Sequence, residues 1–366
     1  MKLKSQPITL ELLTPCFAGG ASPSETAEVR VPTLRGQLRA WLRLLFPEQA
    51  IDDIIFGQAQ RAPVRASRVL LRLVSEESRK VSQNLLDYIG ARDERDAMQK
   101  AESYFLWPLC PQPGSEQKRG VLLPPGPDRN ARFTFALIWL PPFAKEVAAL
   151  QPNLDAAVRA FSLLGTFGTR ATRGYGSVWN PDDKFANVEA LKTALSFLPS
   201  SVQVRLLGSE FITGRDALAG AARWMRSIRV GSTGFGAPTE WGENDHDVAD
   251  PARVQSQNAV VYRHALGMPL AQRFRRGNET TTVTAKYSQS NLAGGSGPTT
   301  DRYPSPVRIK ICRLAGKYRV LVVILRGLLL PENTKIRLSA KGGYSREALL
   351  SHDLVQHITK QGEAAH

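Results

Sequence analysis

The sequence predicts an α+β fold built from two ferredoxin-like (RRM-like) domains with long inserted loops. Strand and helix patterns follow the order strand, helix, strand, strand, helix, strand, which is typical of that fold. Part of this order recurs in the second half, and 366 residues are enough for two domains. We therefore expect an N-terminal domain at 1–180, with a glycine-rich loop, and a C-terminal domain at 201–366, with a long polar insertion.

The elements of the first domain come from hydrophobic periodicity. Alternating apolar residues predict strands over 8–15, 67–74 and 132–140. Apolar residues at helical spacing predict a helix over 34–46, which Thr33 would cap, and another over 154–165. A short closing strand fits "GSVWN", and the polar segment 75–130 is interpreted as an insertion.

The second half repeats part of this pattern. Strands are predicted over 202–208 and 305–312, and a helix over 214–229. "SPVRIKIC" resembles the earlier "SRVLLRLV", which favours an internal duplication. Residues 231–302 are rich in Gly, Thr, Ser and Asn, so no regular structure is predicted there.

The charge predicts a polyanionic partner. The chain carries 48 Lys and Arg against 33 Asp and Glu, a formal net charge of +15. Of the basic residues 34 are Arg, whose planar guanidinium suits bidentate phosphate contacts and base stacking. Nucleic acid is therefore favoured over a composition bias toward Arg.

The cysteines indicate a reducing compartment. Cys16, Cys110 and Cys312 are far apart and lack CxxC spacing, so neither a disulfide framework nor a zinc site is predicted. The start of the chain has no apolar signal core, and no run approaches the length of a membrane span. We expect a cytoplasmic protein with no membrane contact, no metal and no cofactor.

A basic stripe on the first helix is the first candidate binding feature. Arg35, Arg39 and Arg43 stand four apart and share one face, and Gly36 would let a phosphate approach the backbone amides. The alternative is a solvated basic face whose charges pair with acids from a neighbouring segment.

The second candidate binding feature is the stretch "GTFGTRATRGYGSVW" at 165–179. Here Arg170 and Arg173 would clamp an RNA backbone, and Tyr175 would stack on a base. Glycines would keep the main chain slim enough for close approach; they are Gly168, Gly174 and Gly176. The alternative is an elaborate turn. The stretch does not complete a GxGxxG pattern, and the chain contains no Walker A sequence.

A third basic run, "AQRFRRG", interleaves an aromatic with charge as single-strand-binding surfaces do. The residues predicted to contact RNA are Arg273, Phe274, Arg275 and Arg276. A solvated charge run is the alternative.

Catalysis has less support. His246 lies among acids in "ENDHDVAD", but the spacing matches no EF-hand or HExxH pattern, so an exposed acidic loop is preferred to a metal site. His264 could act as a base on a ribose hydroxyl, and a packed or capping histidine is preferred. No catalytic residue is predicted.

With these residues in view, the chain resembles the RAMP superfamily, and within it the first Cmr subunits of type III-B CRISPR RNA-silencing complexes. The resemblance lies in "LLTPCFAGG", "VPTLRGQLRAWLR", "IIFGQ" and "GTRATRGYGSV"; it covers the first half well and the second more loosely. The glycine-rich loop departs from the pattern at Ala171 and Thr172, where relatives are more basic or Ser-like.

The resemblance implies two ferredoxin-like domains, no metal cofactor and a non-catalytic subunit at one end of a ribonucleoprotein used in antiviral defence. It implies CRISPR guide RNA, single-stranded target RNA and other Cmr-complex subunits as partners. The RNA-contacting residues that it implies are, in the glycine-rich loop, Gly168, Arg170, Arg173, Gly174 and Gly176 and, in the first helix, Arg35, Gly36 and Arg39. An endoribonuclease of the same superfamily, with His264 or His246 as base, and a mainly protein-contacting subunit are the alternatives.

Overall fold

The structure is a computed structural model that describes residues 5–59, 63–93, 96, 100–106, 109, 118–126, 129–229, 239–253, 259–267, 270–276, 279–287 and 303–366. It is a mixed α/β protein with antiparallel sheets, which confirms the predicted class at this level.

The first sheet has the strand order β2-β5-β1-β6. The strands of this part of the chain are β1 (Ser5–Leu12), β2 (Val69–Glu77), β3 (Arg79–Asn84), β4 (Lys118–Leu123), β5 (Ala131–Trp139) and β6 (Val178–Trp179). Alternation of buried and exposed residues sets the register, as in β5, where Phe133, Phe135 and Leu137 are buried. The strands β3 and β4 form a separate two-stranded antiparallel sheet inside the segment predicted as an insertion.

Two long helices accompany this sheet in the predicted order, after β1 and after β5. The helices of the first half are α1 (Val31–Leu45), α2 (Ile51–Phe56), α3 (Leu85–Ile89), α4 (Ser103–Leu106) and α5 (Val147–Leu164). The first of them buries Leu34, Leu38 and Trp41. It begins two residues before the predicted cap, with Arg30 at the N-cap and no capping side chain, so the capping role predicted for Thr33 is wrong. Pro32 fits the first turn because no amide donor is needed there.

The second four-stranded sheet has the order β11-β12-β7-β15. Its strands are β7 (Val202–Leu206), β11 (Val307–Leu314), β12 (Lys317–Leu325) and β15 (Glu363–Ala364). The helices of this part are α6 (Val188–Leu195), α7 (Gly214–Arg229), α8 (Glu240–Ala249) and α9 (Asp353–Thr359). Numbered along the chain, the strands of both sheets lie in the order second, third, first, fourth. The helix predicted over 214–229 is present with those bounds.

A five-stranded sheet and helix α8 lie partly in the segment predicted to be irregular. The sheet order is β8-β14-β13-β10-β9, with β8 (Val260–Val261), β9 (Leu270–Arg276), β10 (Glu279–Tyr287), β13 (Lys335–Ser339) and β14 (Ser345–Leu350). The prediction of no regular structure over 231–302 is therefore wrong within the described residues. Four of its threonines, Thr280, Thr281, Thr282 and Thr284, lie on β10 of the hairpin that β9 and β10 form, where β-branched side chains are favoured.

The chain divides into two compact units. The first contains Met1–Ala222, Arg308–Val323 and Glu363–His366, and the second contains Arg223–Val307 and Ile324–Gly362. The two four-stranded sheets belong essentially to the first unit and the five-stranded sheet to the second. The predicted domain ranges, 1–180 and 201–366, stay a prediction.

Candidate functional site

An arginine-rich cleft lies beside helix α1 in the first unit. Arg35, Arg39 and Arg43 share the predicted stripe and are joined by Arg65 from the segment before β2. The cleft has a volume of about 790 Å³. We call it the α1–α2 cleft; its lining residues are Arg35, Arg39, Arg43, Asp53, Phe56, Gly57, Gln58, Ala59, Arg65 and Ser67.

Two aspartates of α2 partly neutralise this cleft. Asp52, which is buried, places Oδ2 3.2 Å from an Nη of Arg39 and 2.7 Å from an Nη of Arg43. Arg39 also binds the Asp53 carboxylate and donates to the Gly57 carbonyl at 2.8 Å. Pairing with acids from a neighbouring segment was the alternative interpretation, and it accounts for how like charges are tolerated on one helix face.

The cleft nevertheless keeps a positive surplus. Arg35 donates to the Phe56 carbonyl, and its guanidinium carbon lies 5.6 Å from the Phe56 ring centroid, so no carboxylate compensates it there. Partial burial, and then the neighbouring Arg39, lower the pKa of Arg35 from its ordinary value. The side chain of Arg43 remains 60% exposed although it pairs with Asp52. Four guanidinium groups thus face two carboxylates.

Gly36 does not offer its amide as predicted. Helix α1 begins at Val31, and only the first four amides of a helix lack an intrahelical acceptor. Gly36 lies beyond them, on the exposed side of the helix, with open space where a side chain would stand. The prediction of phosphate binding by backbone amides at Gly36 is therefore wrong.

The glycine-rich loop, residues 165–177, packs against the protein itself. Gly168, Gly174 and Gly176 have φ of +87°, +85° and +63°. A Cβ on Gly176 would lie 2.0 Å from the Phe167 carbonyl oxygen, and one on Gly168 would lie 2.7 Å from that of Phe17. Close approach of this chain to itself thus explains these glycines without a ligand.

Strand β11 is bonded to this loop along three successive residues. The Ile309 amide donates to the Thr172 carbonyl at 3.0 Å, and the Ile311 amide donates to the Ser177 hydroxyl at 2.9 Å. Between them, the fully buried ammonium of Lys310 donates to the Gly165 carbonyl at 2.7 Å and to the Val178 carbonyl. Burial holds the pKa of Lys310 well below its ordinary value. The loop is therefore a structural connection within the first unit.

Tyr175 is part of this buried packing. Its side chain is 0% exposed, and its ring centroid lies 5.4 Å from that of Phe17 and 6.4 Å from that of Tyr88. Burial raises the pKa of its hydroxyl well above the ordinary value, and Tyr88 adds to this effect. A ring enclosed in this way cannot stack on a base, so the role predicted for Tyr175 is wrong.

Arg170 and Arg173 are half-buried on the same loop. Arg170 adopts a φ of +61°, unusual for a residue with a side chain, and its Nε donates to the Phe105 carbonyl at 2.5 Å. Arg173 forms a parallel bridge with Ile309 through its backbone. Both residues thus take part in internal structure, and the predicted RNA clamp stays a prediction.

The basic run at 270–276 forms strand β9 in the second unit. Phe274 is 6% exposed, and its ring centroid lies 4.6 Å from that of His246. The predicted stacking of Phe274 on a base is therefore wrong. The side chains of Arg273, Arg275 and Arg276 lie outside the described part of the structure.

His264 and Asp245 form a buried pair in the second unit. The His264 Nδ1 lies 3.7 Å from Asp245 Oδ2, and burial lowers the pKa of His264 from 6.5 to about 4 against the opposing effect of Asp245. Asp245 also accepts the backbone amides of Tyr262 and Arg263, at 2.8 Å each. Among the residues that the structure describes, no group of three or more His, Cys, Asp or Glu could hold a metal ion.

The first half of the chain matches a protein-family model. Residues 9–179 match the model of the RAMP superfamily, the superfamily that the sequence motifs resemble. The match covers just under half of the chain and includes the α1–α2 cleft, the glycine-rich loop and most of the first sheet. No curated protein matches the sequence.

Two solved structures of Cmr proteins align with most of the chain at low sequence identity. Cmr1 from Pyrococcus furiosus in its apo form has 16% identity and a TM-score of 0.49, over 88% of this chain and 87% of that one. A chain from the type III-B Cmr-beta bound to cognate target RNA has 13% identity and a TM-score of 0.47, over 98% of both chains. Within the described residues, no helix is both long and apolar enough to span a membrane.

Proposed function

We propose that the protein is a non-catalytic RNA-binding subunit of a type III-B CRISPR effector ribonucleoprotein, and the match of residues 9–179 to the model of the RAMP superfamily supports this proposal. It would hold guide RNA, target RNA or both at one end of a cytoplasmic complex for antiviral defence, next to other Cmr subunits. The matching strand orders of the two four-stranded sheets support a pair of ferredoxin-like domains within this proposal.

The α1–α2 cleft is the observation that carries the proposal. The cleft lies within residues 9–179, which match the RAMP superfamily model, and presents Arg43 and Arg65 at its exposed side. Arg65 forms no ion pair within the described residues, and Arg43 keeps most of its side chain in solvent. Guanidinium groups so placed bind phosphate oxygens of a strand lying along the cleft, because each bound phosphate releases condensed counterions.

Removal of the two exposed cleft arginines tests the proposal. The double variant Arg43→Ala/Arg65→Ala should bind single-stranded RNA more weakly than the parent in a fluorescence-anisotropy titration. Its log–log salt slope should become shallower by about 0.7 for each phosphate that the variant no longer binds. Folding should be retained, because Asp52 keeps its ion pair with Arg39.

A control of equal charge is Arg223→Ala/Arg326→Ala, which removes two exposed arginines of the second unit. Its salt slope should stay close to that of the parent. If the cleft variant and this control weaken RNA binding equally, the cleft has no specific role and net charge alone accounts for binding.

Endoribonuclease activity is the second candidate function. His264 is 1% exposed, which keeps it away from any substrate and leaves the exposed His246 as the candidate base. Incubation of the parent and His246→Ala with repeat RNA in EDTA, followed by a denaturing gel, separates the functions. Intact RNA supports the binding subunit, whereas cleavage that His246→Ala abolishes supports the enzyme.

A mainly protein-contacting role is distinguished by the same titrations. If the chain alone binds no RNA at low salt and contacts RNA only inside an assembled complex, its charge serves assembly. The binding proposal requires direct, salt-sensitive affinity of the isolated chain.

A further inference from the structure

A second cleft in the first unit combines apolar surface with basic side chains. It lies where the end of β1, the paired strands β3 and β4, the start of α7 and strand β12 meet. Its volume is about 700 Å³. We call it the β1–α7 cleft. Pockets of this size accept ligands as large as a nucleotide.

Part of the lining of this cleft is apolar and open to solvent. Ile212 lines the cleft and is 71% exposed, among the most exposed large hydrophobic side chains in the described residues. Pro124 and Pro125 stand in the loop after β4, with Leu123 beside them. An exposed apolar surface inside a concave site favours a planar or apolar ligand group, because burial of that surface is favourable.

The polar groups of the cleft suit a phosphate and a base edge. Arg79 and Arg129 line it, and neither forms an ion pair within the described part of the chain. The side-chain amides of Gln83 and Asn130 also line it and, within the same described part, form no hydrogen bond. Amide groups both donate and accept, as recognition of a base edge requires.

A third arginine of the lining, Arg215, is held in place by contacts within the protein. Arg215 Nη2 donates to Glu102 Oε2 at 3.1 Å and to the Tyr88 carbonyl at 2.8 Å, and its guanidinium carbon lies 5.1 Å from the Tyr88 ring centroid. The start of α7 is already capped, because Thr213 Oγ1 accepts the Asp216 amide at 3.1 Å. The charge available to a ligand therefore comes mainly from Arg79 and Arg129.

We propose that the β1–α7 cleft takes one nucleotide of single-stranded RNA, with the base against Ile212 and the neighbouring prolines and its phosphate toward Arg79 and Arg129. The proposal rests on the proposed RNA-binding function and adds a contact to bases to the backbone contacts of the α1–α2 cleft. An acidic peptide fits less well, because its carboxylates offer no planar group to cover the exposed Ile212 and the prolines, whereas Asp87 in the lining repels a carboxylate and a phosphate alike.

The test compares an oligouridylate with an abasic ribose-phosphate oligomer of equal length, which has the same phosphates and no bases. The parent should bind the oligouridylate about tenfold more tightly, the effect expected for one stacked base. Ile212→Ser should remove this preference and leave the salt slope unchanged. Since Ile212 is exposed, the variant should unfold at the parental temperature.

Arg79→Ala/Arg129→Ala should weaken binding of both oligomers and flatten the salt slope, whereas the control Arg223→Ala/Arg326→Ala should do neither. Equal affinity of the parent for both oligomers would overturn the nucleotide site and leave the RNA-binding function standing. A base preference that survives in Ile212→Ser would place the base contact elsewhere. Binding of oligoglutamate that Arg79→Ala/Arg129→Ala abolishes, without any base preference, would assign the cleft to an acidic peptide. Absence of all RNA binding would contradict the proposed function itself.

Discussion

Gly176 and Gly36 show that glycines in the RNA-binding candidates differ in what the fold requires of them. Gly176 has a φ of +63° and stands against the Phe167 carbonyl, whereas Gly36 is an exposed helical residue with open space around it. We expect Gly176→Ala to lower the free energy of unfolding by more than about 2 kcal/mol, since backbone strain and a clash add. Gly36→Ala should raise it by up to about 1 kcal/mol. Urea denaturation of both variants and the parent measures these two changes in the free energy of unfolding.

The outcome that would contradict this account is a Gly176→Ala variant that is as stable as the parent and binds RNA more weakly. The glycine would then serve close approach of RNA, as the sequence pattern predicts, and not the packing of the loop against the Phe167 carbonyl.

His264 makes stability depend on pH. The pKa of His264 is about 4 in the folded chain and 6.5 in the unfolded chain. Between pH 6.5 and pH 4 the imidazole is therefore protonated in the unfolded chain and neutral in the folded chain. The free energy of unfolding should therefore fall as the pH drops from 6.5 to 4, by on the order of 3 kcal/mol from this group. His264→Leu should show a smaller decrease over the same interval. Parallel pH series of urea denaturation check this, and identical slopes would show that His264 is not buried in its neutral form.

The side chains of Tyr175 and Phe274 mark the limit of prediction for single residues. Both aromatics lie between arginines and glycines in the sequence, which is also the composition of an RNA-stacking surface. Their burial depends on partners far away in the chain or in another element, such as Phe17 for Tyr175 and His246 for Phe274. Local sequence contains no signal for such contacts, although it placed the two residues correctly in a glycine-rich loop and in a basic run.

Asp245 joins helix α8 to the turn that follows β8. It is 0% exposed, accepts two backbone amides and pairs with Arg263 at 3.0 Å. Asp245→Asn leaves the Arg263 guanidinium without its counter-charge, so we expect the free energy of unfolding to fall by about 3–5 kcal/mol. The neighbouring Asp247→Asn, on the more exposed side of α8, should cost no more than about 1 kcal/mol. Thermal denaturation compares them, and equal losses of stability would remove Asp245 as the connecting residue.

Periodicity predicted the elements that bury one continuous face. Helix α7 has the predicted bounds, and β1, β5 and β7 lie within a few residues of theirs. The segment 231–302 was missed because its helix and hairpin are polar and owe their order to specific contacts. Thr239 caps α8 through the Gly242 amide, and Asp245 fixes the next turn. Pairing of the α1 arginines with acids of a neighbouring segment was an alternative at the level of sequence, but Asp52 and Asp53 could not be named as those acids, since spacing within one helix does not show what faces it.

The net charge of +15 is a property of the whole molecule, and the proposed RNA binding depends on it. The arginines of the glycine-rich loop provide a test of how that charge is used. Because Arg170 bonds to the Phe105 carbonyl, Arg170→Ala/Arg173→Ala should lower the unfolding temperature as well as weaken RNA binding. Differential scanning fluorimetry beside the RNA titration separates the two effects. A variant with parental stability and a shallower salt slope would favour the clamp over the structural role.

RNA binding is tested most directly by a titration of the 366-residue chain with single-stranded RNA and the matched DNA at several salt concentrations, with the RNA examined afterwards on a denaturing gel. We expect binding whose logarithmic affinity falls linearly with the logarithm of salt concentration, and RNA that stays intact. RNA that is cut, or an affinity absent even at low salt, would contradict a non-catalytic RNA-binding subunit.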